Sequence, residues 1–263
     1  MASIHPTAVV HERAELGDVT IGPFAVVGEG VQLHDGVYVG AHAVIEGPTV
    51  VGEHTHVGHH VVLGGAPQDL KHDPTVATRL QIGRHNVFRE FSSAHRGSSG
   101  GLGRTTIGDH NYFMANSHVA HDCTVGDHTM FANSAAVAGH VEVHDGAILG
   151  GLCAVHQFCR VGRLSMVGGG AMCAQDVPPF TIAQGDRAKL FGLNIIGLRR
   201  AGFDADAVAP LKDAFRQVFV SDLPRKLALT RAAEAWPEAA EVQELLTFIR
   251  TSQRGVCRAA LQG

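Results

Sequence analysis

The aliphatic residues of this chain recur every six positions. From Ile4 the step reaches Val10 and Leu16, and after one five-residue step Ile21 is followed by Val27, Leu33, Val39, Ile45, Val51, Val57 and Leu63. The register lapses over 64–81, returns at Ile82 and Phe88, and lapses again over about 96–106. From Ile107 it then runs without error through Phe113, Val119, Val125, Phe131, Val137, Val143, Leu149, Val155, Val161 and Val167 to Cys173. A period of six is neither the 3.6 of an amphipathic helix nor the 2 of a half-buried strand. It fits a short parallel strand followed by a tight turn. Three such units close one triangular coil, with the aliphatic residue pointing inward onto the residue eighteen positions away. The expected fold is an all-β solenoid, a parallel β-helix of hexapeptide repeats.

The unit reads as an apolar residue, often Gly, two variable residues, a small residue and one more, as in VGEHTH, IGDHNY, VGDHTM and VGRLSM. Gly or a small residue follows from a corner that needs positive φ or close approach of neighbouring chains. The two lapses read as surface insertions, and long loops on a rigid scaffold often carry function. The first holds Gln68, Asp69 and Lys71, and the second, just after His95, is rich in Gly and Ser.

Beyond DVPPF the pattern stops, so the β-helix is assigned to 1–185 and a connecting segment to 186–203. From 204 to 263 the periodicity turns helical. Asp206 is the expected N-cap of a helix reaching Phe219 with Pro210 in its first turn; a second helix follows Pro224 to Ala235, and a third runs from Pro237 to about Arg250. These make a small C-terminal α-helical domain.

Composition sharpens this picture. Glycine supplies 32 of 263 residues against a usual ~7%, while charged residues are only 17% and aromatics 6%. Collagen is excluded because no glycine period of three exists, and 45% hydrophobic residues with a net charge of −4 argue against disorder. A narrow prism explains the shortage of Trp and Tyr. No apolar run approaches the ~18 residues of a membrane span, and the N-terminus carries no secretory pattern, so a cytoplasmic protein is expected. Five cysteines without a CxxC pair fit reduced thiols. The charge balance gives no reason to expect nucleic acid as a partner.

Most of the 18 histidines fall at variable repeat positions, such as His54, His59, His85, His110 and His128, and read as solvated corners. One cluster differs. NSHVAHDCTVG places His118, His121 and Asp122 within five residues, and the eighteen-residue step brings Gly139, His140 and His156 to the same side of successive coils. A histidine beside a carboxylate suits general base catalysis near neutral pH. Three histidines on one side also suit a catalytic zinc.

These residues, with VAGHV, AVHQF, AQDVPPF, IAQGDRA, FGLNIIGLRRAGF, QDLK and HRG, resemble over essentially the full chain the UDP-N-acetylglucosamine 3-O-acyltransferases that begin lipid A biosynthesis. The related N-acyltransferases of that pathway carry a domain before the β-helix, whereas here the repeats begin at Ile4. The resemblance implies a left-handed β-helix, a homotrimer with active sites between adjacent subunits, and transfer of a 3-hydroxyacyl group from acyl carrier protein to the glucosamine 3-hydroxyl. It implies no cofactor. By that match His121 is the general base, Asp122 its orienting partner, and Gly139 N–H the oxyanion donor. No covalent acyl-enzyme is needed, because the acceptor hydroxyl is the nucleophile.

The match assigns substrate binding to Asp69, Lys71, His118, His140 and His156, with Gln68, His95 and Gln157 added, and nucleotide contacts to Asn194 and Arg200. Ile196 stands where the family carries an acidic residue and Ala201 where it carries the second arginine of a Lys-Arg-Arg run, so Arg199 is the available substitute. Gly169 falls where side-chain bulk sets acyl length, which implies a deep groove and a longer chain. Arg187, Lys189, Arg199 and Arg200 against Asp186 provide a basic patch for an acidic carrier protein. Three other readings compete. One is a relative acylating a 3-amino sugar, another a trimeric zinc lyase resembling the gamma carbonic anhydrases, and the last a non-enzymatic solenoid, which would leave HVAHDC and the two insertions without a purpose.

Overall fold

A computed structural model describes residues 1–260, so the last three residues of the expected helical domain, 261–263, lie outside it. The chain winds into a left-handed parallel β-helix whose strands are two to five residues long. The strands form three sheets, here called the first, second and third faces, with eleven, nine and eight strands beginning at Ser3, Val9 and Glu15. In uninterrupted coils each strand pairs with the one eighteen residues on, as Thr20 with Tyr38 and Tyr38 with His56. Across the insertions Val57 pairs with Phe88, and Phe88 with Phe113.

The period-six residues point inward. Val39, Val57, Phe88, Phe113, Phe131 and Leu149 stack down the first face and are all at most 1% exposed. The prism accepts phenylalanine in three successive coils, Phe88 and Phe113 stacking at 4.6 Å.

Close approach, more than positive φ, explains the glycine that often follows the aliphatic residue. A Cβ at Gly40 would lie 2.7 Å from the Gly58 carbonyl carbon and 2.8 Å from His59 N, in the backbone of the next coil. The left-handed residue comes two positions later and is commonly not glycine: His42, His54, His60, His85, His110 and His128 hold φ between 54° and 59°. Histidine, asparagine and aspartate tolerate this region better than most side chains, so many corner histidines serve the backbone. Four of them, His54, His85, His110 and His128, stack in an exposed ladder at centroid spacings of 5.1, 4.8 and 4.9 Å.

The far end of the prism is covered. Strand Thr181–Gln184 extends the first face and pairs antiparallel with Lys189–Leu193. Helices α1 (Ile195–Arg200), α2 (Ala205–Phe215), α3 (Arg225–Ala235) and α4 (Ala240–Arg250) follow, with a π-helical turn over Arg216–Val220. The N-cap of α2 is Asp204 and not Asp206, because Asp204 has the extended backbone that lets its side chain accept from Ala207 N at 2.9 Å. Pro210 therefore lies inside the helix, past its first turn. Phe180, Leu198, Leu211, Leu245 and Leu246 form a second core. A bidentate Arg163–Glu244 pair ties α4 to the last coils. This supplies the end-cap a solenoid requires.

Candidate active site at one edge of the prism

Both insertions leave the second face and return to the third: one between strands Val62–Gly65 and Arg79–Ile82, the other between Ser93–His95 and Arg104–Ile107. The turn carrying His121 and Asp122 joins the same two faces one coil later, between His118–Val119 and Thr124–Val125. Gly139 and His140 follow in the next coil, and His156 and Gln157 in the one after. One edge of the prism thus collects nearly every candidate polar residue.

At its centre His121 Nδ1 lies 2.8 Å from Asp122 Oδ2. Asp122 is 2% exposed and takes the left-handed corner position with φ 60°. Burial alone would raise its carboxyl. Hydrogen bonds from the Ser98 hydroxyl, His121 and Ser98 N–H outweigh that and hold it below the ordinary carboxylate range. An ionised Asp122 accepts only, so the neutral tautomer of His121 that this contact selects carries its proton on Nδ1 and leaves Nε2 as the acceptor. Cys123, the neighbouring thiol, is buried and pushed up to about 12, which rules it out as a thiolate nucleophile at neutral pH.

Gly139 lies against the His121 ring: a Cβ there would sit 2.6 Å from His121 Cε1 and 2.8 Å from Nε2. At the equivalent turn position on another edge, successive N–H groups are capped by carboxylates of the next coil, Asp109 by Asp127 at 2.7 Å and Asp127 by Asp145 at 2.9 Å. Among the described residues the Gly139 N–H has no such partner. It is a free backbone donor beside the imidazole.

His140 Nε2 lies 3.8 Å from Asp122 Oδ2, and its ring stacks on Phe158 at 4.5 Å. Burial lowers its pKa, with Asp122 and then Asp69 of the first insertion opposing that shift. His118 stands on the second face and meets Ser93 Oγ at 2.8 Å. It is lowered by burial and then by His121. His95 packs edge-on against His118 at 4.6 Å, and its buried Nδ1 has no partner. Burial, followed by the nearby histidines and Arg96, lowers its pKa to about 4, so it is a neutral ring. His156 and Gln157 are exposed on the same edge, with Arg254 Nη2 3.2 Å from His156 Nδ1.

Gln68 and Lys71 are exposed on the first insertion, and Asp69 accepts from Lys71 N at 2.9 Å. Two expected residues do not join the cluster within this chain. Asn194 is 4% exposed and caps α1, accepting from Gly197 N at 3.0 Å and donating to Leu164 O at 2.9 Å. Arg200 ends that helix and is exposed, as are Arg187, Lys189 and Arg199. Gly169 lies on a different edge, between the first and second faces. A Cβ there would meet only Gly151 O, at 3.4 Å.

Sequence reasoning did not single out Ser98, Gly101, Gly103 and Thr105. Ser98 N lies 3.1 Å from both Asp122 oxygens, Gly103 N lies 3.1 Å from Oδ1, and Asp122 N donates to Thr105 Oγ1 at 2.8 Å. Their only signal was the Ser and Gly content of the second insertion. His121, Asp122 and His140 are also the one His/Cys/Asp/Glu group among the described residues close enough to surround a cation, with ligand atoms within 4.8 Å of one another. Asp122 Oδ2, however, already receives His121 and the Ser98 hydroxyl at 2.6 Å.

Known proteins share this arrangement of coils and cap. Bacterial transferase hexapeptide repeats match residues 17–47, 30–65 and 104–139, and the second domain of UDP-N-acetylglucosamine O-acyltransferase matches 176–257. The acyl-[acyl-carrier-protein]–UDP-N-acetylglucosamine O-acyltransferase of Myxococcus xanthus is 45% identical over 98% of this chain and all of its own. Among solved structures, the UDP-N-acetylglucosamine acyltransferase of Campylobacter jejuni is 35% identical with a TM-score of 0.92, covering 98% of this chain and all of that one. That of Francisella novicida is 31% identical with a TM-score of 0.95, covering 98% and 95%. Prism, helical cap and sequence agree along almost the whole chain, which belongs to the UDP-N-acetylglucosamine O-acyltransferase family.

Proposed function

We propose that this protein transfers a 3-hydroxyacyl chain from acyl carrier protein to the 3-hydroxyl of UDP-N-acetylglucosamine, the first step of lipid A biosynthesis, as a homotrimer in the cytoplasm. The observation that carries the mechanism is the His121–Asp122 pair at 2.8 Å with an unpartnered Gly139 N–H beside the ring. His121 Nε2 takes the 3-hydroxyl proton as that oxygen attacks the thioester carbon. The Gly139 N–H donates to the developing oxyanion, a contribution of about 2.7–4 kcal/mol for a donor of this kind. The C–S bond then breaks, and the leaving sulfur receives the proton from His121, so an ester and a free thiol result. Asp122 stabilises the imidazolium between the two transfers. Gln68, Asp69, Lys71, His95, His118, His140, His156 and Gln157 form the surrounding walls for the sugar nucleotide and the pantetheine arm. Asn194, through the helix it caps, and Arg200 serve the nucleotide, and the exposed arginines and lysine of 187–200 receive the acidic carrier.

The outward residues support a trimer. Those of the first face include Val87, Tyr112, Met130, Ile148 and Met166, and those of the second Val9, Val26, Val44, Val62 and Met172. The third face instead presents Glu15, Gln32, Gln81, Thr106, Glu142 and Arg160. Two faces on which apolar residues dominate, though they also present Thr20, His56, Ser93 and His118, and one mostly polar face suit a closed ring of three in which the first face of one copy covers the second face of the next. The second face carries small residues, Ala136 and Ala154, between the His121 edge and the edge holding Gly151 and Gly169. An acyl chain crossing there meets no side chain at Gly169 and is covered by the adjacent copy.

Incubating the protein with a panel of 3-hydroxyacyl carrier proteins and either UDP-N-acetylglucosamine or its 3-amino analogue, then repeating with His121→Ala, tests this reading. A loss of about 100-fold or more is expected for the variant. Full activity in His121→Ala would remove the base, preference for the amino sugar would change the acceptor, and stoichiometric zinc retained through dialysis would favour the lyase.

A further inference from the structure

The second insertion holds Asp122 more tightly than a surface loop needs to. We infer that Ser98 is a positioning residue for the acyl transfer: its hydroxyl and backbone N–H lock the Asp122 carboxylate in the orientation that fixes the His121 ring and tautomer. This rests on the reading of His121 and Asp122 as base and partner.

Four observations carry it. Ser98 is 1% exposed, and its hydroxyl donates to Asp122 Oδ2 at 2.6 Å, the oxygen that also receives His121 Nδ1. Its N–H bridges both carboxylate oxygens at 3.1 Å, and Gly103 N approaches Oδ1 at 3.1 Å, so one loop surrounds the carboxylate. Between them Gly101 passes so closely that a methyl group there would run into Asp122 Oδ2 and lie 2.6 Å from His140 Cε1. Next to Ser98, Ser99 anchors the loop to the first insertion, its N–H donating to His72 Nδ1 at 3.2 Å and its hydroxyl accepting from Asp73 N at 2.8 Å. The two interruptions of the repeat are therefore one structure, clamped on one side to Asp122.

A buried carboxylate satisfied by several charge-assisted donors is fixed in orientation. Losing the hydroxyl frees Oδ2 to rotate and leaves more of its charge uncompensated. The groups facing the pair are His140 from the next coil, His118 and His95 from the second face, Asp69 from the first insertion and the un-ionised Cys123. None of them donates to Asp122 within hydrogen-bonding distance, His140 being 3.8 Å away. No neighbour replaces the lost bond.

The test compares Ser98→Ala and Ser98→Thr with the parent, measuring kcat and KM from pH 5.5 to 9 together with thermal unfolding. Ser98→Ala is expected to lower kcat by about 10- to 30-fold, with KM for the sugar nucleotide within about twofold. The acid limb of kcat/KM should move to higher pH by about half a unit or more, because a less compensated carboxylate holds the proton on His121 more strongly. Ser98→Thr keeps the hydroxyl and should restore both. An unmoved profile with kcat within about threefold of the parent would overturn the inference, as would equal loss in Ser98→Thr with an intact fold. His121→Ala separates the layers: if it is inactive and Ser98→Ala is unchanged, the base stands and the positioning role falls.

Discussion

Adding one methyl group at Gly139 tests the His121 geometry with little else disturbed. A Cβ there would lie 2.6 Å from His121 Cε1, 2.8 Å from Nε2 and 3.2 Å from Nδ1. Carbon contacts settle near ~3.5–4 Å, and a Cβ cannot swing away, so the ring must retreat by about 1 Å. That retreat stretches the 2.8 Å bond to Asp122 and moves Nε2 away from the acceptor hydroxyl. The donor N–H of residue 139 remains. A displacement of ~1 Å costs on the order of 100-fold in rate, or about 2.7 kcal/mol at ~1.36 kcal/mol per decade. The fold should be spared, because Gly139 is not among the positive-φ positions and the atoms a Cβ there would meet belong to a side chain rather than to the backbone. Steady-state kcat for transfer from the preferred 3-hydroxyacyl carrier protein, with thermal unfolding as a control, is the assay. A Gly139→Ala enzyme of unchanged stability and kcat within about threefold of the parent would refute the contact reasoning.

Two further outcomes follow from the same geometry. Gly169→Met adds bulk where a Cβ touches only Gly151 O at 3.4 Å, so stability should hold while donor preference moves to shorter 3-hydroxyacyl chains; an unchanged chain-length profile would exclude Gly169 from setting acyl length. His95 is held neutral, with its pKa lowered to about 4 against ~6.5 in an unfolded chain. The unfolded state binds more protons between those values, so the His95 contribution is full above about pH 6.5 and is lost as pH falls towards about 4. Urea midpoints at pH 7 and pH 5 should therefore fall further for the parent than for His95→Gln, and equal falls would exclude His95 as the cause.

Several features are legible in the sequence alone. A period of six has one geometric solution, and the strict run from Ile107 to Cys173 delivers buried residues at every step, from Ile107 at 1% exposed to Cys173 at 2%. Eighteen-residue arithmetic brought His121, Asp122, Gly139 and His140 together, because an uninterrupted coil fixes side-chain direction. It had no power over the insertions, where the register stops, so Ser98 and Gly103 went unseen. The same limit applies to the cap of α2: Asp204 and Asp206 are equivalent by type, and only backbone direction distinguishes them.

The sequence by itself determined the prism and the edge on which the candidate histidines gather, since these depend on repeat spacing and on residue types within a few positions of one another. Tertiary structure decided what the spacing left open. Glycine often follows the aliphatic residue because the backbone of the next coil passes close by, within 2.7 Å of a Cβ at Gly40, and histidine often takes the left-handed corner two positions on. His121 and Gly169 fall on different edges of one chain, joined across the second face. Asp122 is made a fixed anion by a loop whose own residues have no periodicity. Each of these is a contact between segments far apart in sequence, and such contacts exist only once the coils are stacked.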